Sequence, residues 1–397
     1  MKNESYVPAG EVQARIGRLQ RCMEGRAMDA VFIVDRVNLL YFSGTCQDGF
    51  LLVPRQGQPL LFIRRYPPRA AAESPLPVIE IRSVKEVPGL VKRRRGRLPR
   101  RVGFELDVLP VRDFSFYRRL LAVDEAPDAS ELVFAVRRVK SSWEIAQMEK
   151  TAAVSRQTFD YIRRVLAPGL AEMELAGMYE TFARRLGHAA GLRVRGFRTE
   201  GYNWHILSGA RGAVVGLLDS PASGTGTSAA FPCGAGSAKL AAGEPIMIDL
   251  ATVVAGYHMD ETRMFALGGM PAGALAASRA CIAVHDAVIA AVKPGVECRQ
   301  LFDIGLAEAR RLGFADIYLG PEDYRVRFVG HGVGLELIEP PAIAAGHSDR
   351  LEPGMVFALE PKMLQPGEFA VGVESVFAVT DSGARLLSQV PVDIFIC

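Results

Sequence analysis

Short apolar runs and helical patterns alternate in the first part of the chain. Apolar residues recur at helical spacing over residues 11–26, and compact apolar runs at 31–34 and 51–53 have the length and the side chains of buried strands. Further patterns of both kinds follow up to about Pro127. This alternation predicts an α/β region in which helices pack on a mixed sheet.

Longer helical patterns follow in the second part of the chain. Three of them predict helices over residues 142–166, 172–186 and 272–292. A serine cap begins the first helix, and a proline–glycine pair follows the first and the third as a stop signal. The segment 208–236 is rich in glycine and serine but lacks the Gly-Lys-Ser/Thr ending of a phosphate loop. We expect it to be an extended loop that lines a pocket.

A β-hairpin is predicted in the second part, where two apolar runs, 246–254 and 257–265, are joined by an Ala-Gly turn. Asp249 lies in the first run and Asp260 in the second. Because the strands of a hairpin pair, the two carboxylates can lie close together. Like charges that close raise one of the two pKa values unless cations lie between them, so the pair predicts an acid–base dyad or a metal site.

Three further polar residues occupy apolar or glycine-bounded segments: His331, Glu360 and Glu374. Burial of an unpaired carboxylate costs several kcal/mol, and a bound cation would remove that cost. Each acid taken alone could instead pair with an arginine or accept backbone N–H groups. Together with the two aspartates they form an oxygen-rich set of four carboxylates and one imidazole, which suits Mn, Co, Zn or Fe. The five residues therefore favour a metal site.

The segments that carry these residues resemble the pita-bread metallopeptidases, a family that includes aminopeptidase P, prolidase and methionine aminopeptidase. The matching segments are IDL, GYHMDETR, GHGVGLE, ALEP and GVES. The runs at 29–34, 38–44 and 49–53 resemble the smaller domain of prolidase, aminopeptidase P and creatinase. The resemblance implies an α+β protein with a creatinase/prolidase-like α/β domain over 1–135. A pita-bread catalytic domain, with helices outside a curved antiparallel sheet, would occupy 136–397.

The resemblance also implies a centre of two divalent metal ions, Mn, Co, Zn or Fe. Asp249 would chelate one ion, His331 and Glu360 the other, and Asp260 and Glu374 would bridge both. A hydroxide between the ions would attack a peptide or amide C–N bond. Glu360 would in addition guide the proton of that water.

Two histidines that peptidases of this family usually carry are replaced here by Cys233 and Ile338. The family uses them at the scissile carbonyl, and loss of one such donor typically costs about 2.7–4 kcal/mol of transition-state stabilisation. His258, which shares a strand face with Asp260, and His205 are candidates for catalytic roles in their place. Each could instead face solvent or satisfy a neighbouring backbone group.

Three functions fit these residues. The first is a metallohydrolase of the Xaa-Pro aminopeptidase and prolidase type with an altered substrate. The second is a non-peptide C–N hydrolase of the creatinase or ectoine hydrolase type, and the third is a binding protein that keeps the fold without turnover. Retention of all five ligands argues against the third.

Composition restricts the classes of partner. A chain of 397 residues with 49% hydrophobic content predicts two folded domains, and a formal charge of +3 gives no general reason to expect a polyanionic partner. The basic run 92–97, followed by Arg100 and Arg101, has no aromatic platform beside it and predicts a solvated surface rather than a nucleic-acid site. We expect a peptide or small amide substrate, and the resemblance implies a homodimer.

Cysteine usage and the N-terminus predict a cytoplasmic protein. The six cysteines are scattered without a C-x-x-C pair, as is typical of reduced thiols. The first residues lack the apolar core of a signal peptide, and no uninterrupted apolar stretch has the length of a membrane span. We therefore expect no membrane partner.

Overall fold

The computed structural model describes residues 6–196, 200–201 and 205–397, and they divide into two units. The first unit contains the described residues up to Arg137 together with Arg195 and Gly196, and the second contains the others from Arg138 onwards. Residues 1–5, to which the signal-peptide prediction refers, lie outside the described residues.

The first unit is a sheet covered by helices, as the alternating pattern predicts. Its helices are α1 (Ala9–Glu24), α2 (Arg36–Ser43), α3 (Pro67–Glu73), α4 (Val87–Arg95), α5 (Val111–Leu120) and α6 (Ser130–Arg137). Its strands are β1 (Ala30–Ile33), β2 (Gly49–Pro54), β3 (Leu60–Ile63), β4 (Val78–Glu80) and β5 (Val102–Gly103). They pair in the order β4-β3-β2-β1-β5, with β1 parallel to β5, β3 parallel to β4, and the other pairs antiparallel.

Local signals account for the ends of these elements. Asp35 caps α2 by accepting hydrogen bonds from the backbone N–H groups of Val37 and Asn38, and Gly44 ends the helix at a φ of 81°. Part of the basic run lies in the last turn of α4, where cations interact favourably with the helix dipole. A short 3₁₀ helix, Val84–Glu86, precedes α4.

The second unit carries longer strands. Its helices are α7 (Ser142–Val165), α8 (Glu172–Arg185), α9 (Gly209–Gly212), α10 (Ala272–Ala290) and α11 (Cys298–Arg311), with a 3₁₀ turn at Glu322–Tyr324. The first strands are β6 (His205–Ser208), β7 (Pro245–Val254), β8 (Tyr257–Ala266), β9 (Phe328–Gly332), β10 (Glu339–Ala344) and β11 (Val356–Leu359). The remaining strands are β12 (Lys362–Gln365), β13 (Phe369–Gly372), β14 (Ser375–Val379), β15 (Ala384–Leu386) and β16 (Ile394–Ile396).

These strands form three sheets among the described residues. One has the order β10-β9-β11-β14-β15 and is antiparallel throughout, and β12 and β13 form an antiparallel pair. The third has the order β16-β8-β7-β6, in which β16 runs parallel to β8. That parallel strand departs from the purely antiparallel sheet expected from the sequence.

The predicted hairpin is present, because β7 and β8 are antiparallel and joined at Ala255 and Gly256. Its register pairs Asp249 with Thr262 and Ala251 with Asp260. Since side chains alternate along a strand, the two aspartates share one face but are offset by two positions. On the other edge of β7, His205 pairs with Asp249.

Helix α10 is long and apolar enough to cross a membrane by length and composition alone, with a mean hydropathy of 1.3, although the sequence pattern predicts no such span. It packs against α11 and β13, and Ala274, Val284 and Val288 on it are fully buried. These contacts make α10 part of the apolar core of the second unit.

Candidate metal centre

Five predicted ligands converge on one cavity of about 200 Å³ in the second unit, and each comes from a different strand or strand end. Their positions are Asp249 on β7, Asp260 on β8, His331 on β9, Glu360 directly after β11 and Glu374 directly before β14. Four of them are less than a tenth exposed, and Asp249 is slightly more exposed. These strands belong to two different sheets, so the set comes together only when both sheets have formed.

The imidazole of His331 lies at the centre of the acids. Its Nε2 is 3.5 Å from Glu360 Oε1, 3.7 Å from Asp260 Oδ2 and 3.9 Å from Glu374 Oε1. Its Nδ1 lies 3.1 Å from the carbonyl oxygen of Gly332, which suits an Nδ1–H donor, and its Nε2 faces the carboxylates. Ligand atoms of Asp260, His331 and Glu374 all lie within 4.8 Å of one another.

The glycines beside His331 allow neighbouring strands to approach closely. A Cβ at Gly330 would collide with the carbonyl oxygen of Ala358 on β11, and one at Gly332 with that of Glu339 on β10. Strand β9 lies between these two strands. The glycines therefore fix the position of His331 through packing.

Lys362 reaches the same acids, although sequence reasoning did not identify it. Its Nζ donates to Glu360 Oε2 at 2.7 Å and to Asp249 Oδ2 at 2.9 Å. Burial favours the neutral amine, but the neighbouring carboxylates outweigh it and raise the pKa of Lys362 well above its usual value. The available signal was a lysine in an apolar strand, since buried lysines are rare without a partner.

Two family models match the chain. The model of metallopeptidase family M24 covers residues 146–381, which is 236 of the 397 residues. The chain belongs to metallopeptidase family M24. The model of the creatinase/prolidase N-terminal domain covers residues 15–139.

The similarity to relatives and to solved structures covers nearly the whole chain. The Xaa-Pro dipeptidase of Pyrococcus furiosus is 24% identical over 381 residues, covering 95% of this chain and 98% of that protein. The structure of an Xaa-Pro dipeptidase from Bacillus anthracis is similar with a TM-score of 0.83 at 21% identity, covering 97% of this chain and all of that one. The prolidase of Pyrococcus horikoshii has a TM-score of 0.80 at 20% identity, covering 95% and 99%.

These likenesses confirm the predicted fold class. The protein is α+β, with a creatinase-like N-terminal domain followed by a pita-bread domain of the M24 type. The resemblance inferred from the ligand segments is confirmed as well.

Burial and mutual repulsion disfavour negative charge on two of the M24 acids. Burial raises the pKa of Asp260 well above its usual value, and Glu374, Asp249 and Glu360 raise it further. Burial also raises the pKa of Glu374 well above its usual value, and Glu360 adds to this although Lys362 opposes it. For Asp249, burial is outweighed by Lys362 and His205, so its pKa lies below the usual value.

A divalent ion fits the side of the centre that His331 occupies. Glu374 Oε1 is buried and has no hydrogen-bond partner among the described residues, which is costly unless something binds there. It faces the Nε2 lone pair of His331 and a carboxylate oxygen of Asp260. Two carboxylates and one imidazole are a donor set typical of divalent transition metals.

Polar neighbours orient the acids. Thr262 donates from Oγ1 to Glu374 Oε2 at 2.9 Å. The guanidinium of Arg263 is fully buried and donates to the backbone carbonyl oxygen of Glu374. Both residues are positioning residues for Glu374.

His205 lines the cavity, as the sequence predicts for a pocket residue. Its Nε2 is buried, and no residue in the described part of the chain forms a hydrogen bond with it. Burial lowers the pKa of His205, although Asp249 opposes the shift. His205 is therefore a neutral ring with one nitrogen available to a bound molecule.

His258 does not lie in the cavity, so the structure does not support the catalytic role expected for it. Its Nδ1 lies 3.0 Å from the carbonyl oxygen of Gly334, and its Nε2 accepts from the N–H of Arg193 at 3.1 Å. The ring is fully buried and joins two loop segments. The prediction that His258 lies on the same strand as Asp260 and on the same face was correct. However, both ring nitrogens of His258 contact backbone groups of residues far away in the sequence.

His258 should make the protein less stable in acid. Burial lowers its pKa from 6.5 to about 4, so the folded state resists a proton that the unfolded state accepts. The contribution of His258 to the free energy of unfolding is fully present above pH 6.5 and is lost as the pH falls towards 4. The loss between pH 7 and pH 5 is about 2 kcal/mol. Urea unfolding at both pH values measures this loss. His258→Gln, which can donate and accept but does not titrate, should show a smaller pH difference, and an equal difference would contradict the assignment.

The two positions without the usual histidines differ in the structure. Ile338 is half-exposed and lines the cavity, whereas Cys233 is buried and is not among the described lining residues.

The predicted loop 208–236 contributes Leu218, Asp219 and Ser220 to the cavity wall, as expected, after a short helix at its start. All six cysteines lie in the described part of the chain, where they form no disulfide.

Proposed function

We propose that the protein is a metal-dependent hydrolase that cleaves a peptide or amide C–N bond, with Xaa-Pro peptides as the first substrate class to test. One observation carries this proposal: Asp260, His331, Glu374 and Glu360 converge around a cavity that also reaches solvent-side residues such as Ile338. The names of the relatives, Xaa-Pro dipeptidase and prolidase, support the reaction type.

Asp260, His331 and Glu374 would hold the metal, with Glu360 beside them. When bound, a divalent ion supplies Lewis-acid polarisation of the substrate and lowers the pKa of water. The mixed oxygen and nitrogen donors suit Mn, Co, Zn or Fe. Asp249 belongs to the ligand set that the resemblance implies, but its carboxylate contacts Lys362.

The protein side chains supply proton transfer and substrate contacts. Glu360 faces the cavity and is the candidate general base and acid, because its Oε1 points towards His331 while Lys362 holds its Oε2. His205 offers its free Nε2 to a substrate carbonyl or amide group. Apolar lining residues, Leu218, Phe328 and Ile338, would contact the apolar part of the substrate and exclude water.

A substrate panel tests this proposal. Protein dialysed against EDTA and reloaded with Mn²⁺, Co²⁺, Zn²⁺ or Fe²⁺ is assayed against Xaa-Pro dipeptides, longer Xaa-Pro peptides, small amidines and lactams. We expect hydrolysis only in the metal-loaded protein. Glu360→Gln should lower kcat by roughly 10²–10⁴, the usual effect of losing a general acid–base group. The matched control Glu352→Gln, at an exposed position, should leave kcat unchanged. Full activity in EDTA would refute metal dependence.

A second candidate is a non-peptide C–N hydrolase. The half-exposed Ile338 favours it, because an apolar side chain stands in the cavity wall where related peptidases use a histidine. Turnover of a cyclic or guanidino substrate from the panel, with Xaa-Pro peptides ignored, would select this candidate.

We further propose the domain boundary, the location and the assembly. A boundary between 135 and 136 is supported by the division of the described residues at Arg137. Free thiols support a cytoplasmic location. The homodimer rests on the family resemblance and is tested by light scattering.

A further inference from the structure

Lys362 divides the five predicted ligands into two sides. On one side, His331 Nε2 lies within 4 Å of Asp260, Glu360 and Glu374. On the other side, Lys362 Nζ lies 2.7 Å from Glu360, 2.9 Å from Asp249 and 3.6 Å from Glu374. The sequence resemblance assigned a metal ion to each side.

The two shared glutamates present one oxygen to each side. Glu360 directs Oε1 to His331 and Oε2 to Lys362, and Glu374 does the same with its own two oxygens. This is how a carboxylate bridges two cations. On the Lys362 side, the ammonium group takes the carboxylate oxygens that a second cation would need.

The backbone opposite Lys362 is built to hold its side chain. Lys362 on β12 pairs with Gly372 on β13, and a Cβ at position 372 would lie 2.5 Å from Lys362 Cγ. The lysine side chain is only 3% exposed. A larger residue at 372 would collide with the start of the lysine side chain, so the glycine leaves the room that Lys362 fills.

Repulsion between cations favours one metal ion beside this lysine. The four ligand carboxylates carry four negative charges when ionised and Lys362 carries one positive charge. A second divalent ion on the Lys362 side would lie against the ammonium group, and the repulsion between the two cations disfavours it.

We propose that the centre binds a single divalent ion, on the side of Asp260, His331 and Glu374, and that the Lys362 ammonium replaces the second. The pair of ions implied by the resemblance is thereby reduced to one. This inference rests on the proposed function only in requiring that the site binds metal.

Metal stoichiometry tests the inference without an activity assay. Full-length protein is stripped with EDTA and titrated with Mn²⁺, and bound metal is counted by mass spectrometry after desalting. Electron paramagnetic resonance then distinguishes an isolated Mn²⁺ from a spin-coupled pair. The variants are Lys362→Ala, which removes both charge and volume, and Lys362→Arg, which keeps the charge.

We expect one isolated Mn²⁺ per chain in the wild type and in Lys362→Arg, and a coupled pair in Lys362→Ala. If Lys362→Ala fails to fold, the shorter neutral Lys362→Gln takes its place with the same expectation. Two ions in the wild type would overturn the inference and leave metal-dependent hydrolysis standing. One ion in the neutral variants would overturn the role of Lys362. No bound ion in any protein would overturn both this inference and the proposed metal dependence.

Discussion

Asp260→Asn is expected to abolish metal-dependent hydrolysis and to leave the fold intact. Asp260 is one of the three residues whose ligand atoms lie within 4.8 Å of one another, so its loss removes a ligand outright. The decrease in kcat/KM should exceed the roughly 100-fold that loss of an outer hydrogen-bond partner of a metal site costs. Metal content, measured by mass spectrometry after desalting, should fall in parallel.

The same substitution should not lower the stability of the metal-free protein. Burial and three neighbouring acids raise the pKa of Asp260, which means that a charge at this position is disfavoured in the folded state. A neutral amide of equal size relieves that repulsion. In EDTA, the melting temperature of the variant should therefore equal or exceed that of the wild type, and added Mn²⁺ should raise it only in the wild type.

Asp316→Asn is the matched control, because Asp316 is an exposed acid of the same unit. It should keep both metal content and activity. Retention of full metal content by Asp260→Asn would remove Asp260 from the ligand set.

Arg263→Leu should destabilise the protein by about 3–5 kcal/mol, the range typical of removing one partner from a buried charged network. The guanidinium is fully buried and donates to the carbonyl oxygens of Thr262, Glu374, Val390 and Pro391 and to Ser375 Oγ. Each acceptor left unpaired costs roughly 1–3 kcal/mol, and the costs are not additive.

Glu261 adds to this effect. It is fully buried, and the charge of Arg263 opposes the rise that burial causes in its pKa. Without Arg263 the carboxylate loses its cationic neighbour. Arg263→Lys keeps the charge but not the fork of donors, so its loss of stability should be intermediate.

Urea unfolding of the metal-free proteins measures these differences. The control Arg156→Leu, at a side chain 53% exposed on α7, should change stability by less than about 1 kcal/mol. The Lys and Leu variants at 263 should also bind metal less tightly, because the guanidinium holds the backbone of Glu374. An Arg263→Leu protein as stable as the wild type would show that water or other donors satisfy these carbonyl groups.

Periodicity and turn chemistry predicted much of the fold. The hairpin was expected at 246–254 and 257–265, and the structure extends it by one residue at each outer end, from Pro245 to Ala266. The helices at 142–166 and 172–186 end within one residue of their predicted limits. These elements were predictable because their signals, alternation, a serine cap and a proline–glycine stop, are local.

The candidate site was predictable only in part. The five ligands could be selected because charged residues in apolar strands are rare, and the structure brings them to one cavity. His258 contacts Gly334, and Lys362 contacts Asp249, and both partners are far away in the sequence. No local pattern encodes such pairings, so sequence reasoning overestimated His258 and missed Lys362.

The ligands come from separate strands, and Asp249 and Glu374 are 125 positions apart. A nascent chain therefore has no high-affinity site until most of the second unit has left the ribosome and its sheets have closed. Metal insertion must follow folding, since a scattered set of side chains in the unfolded chain cannot compete with cellular chelators. Any substitution that slows folding of the second unit will therefore lower the metal content of the protein, even when every ligand residue is unchanged.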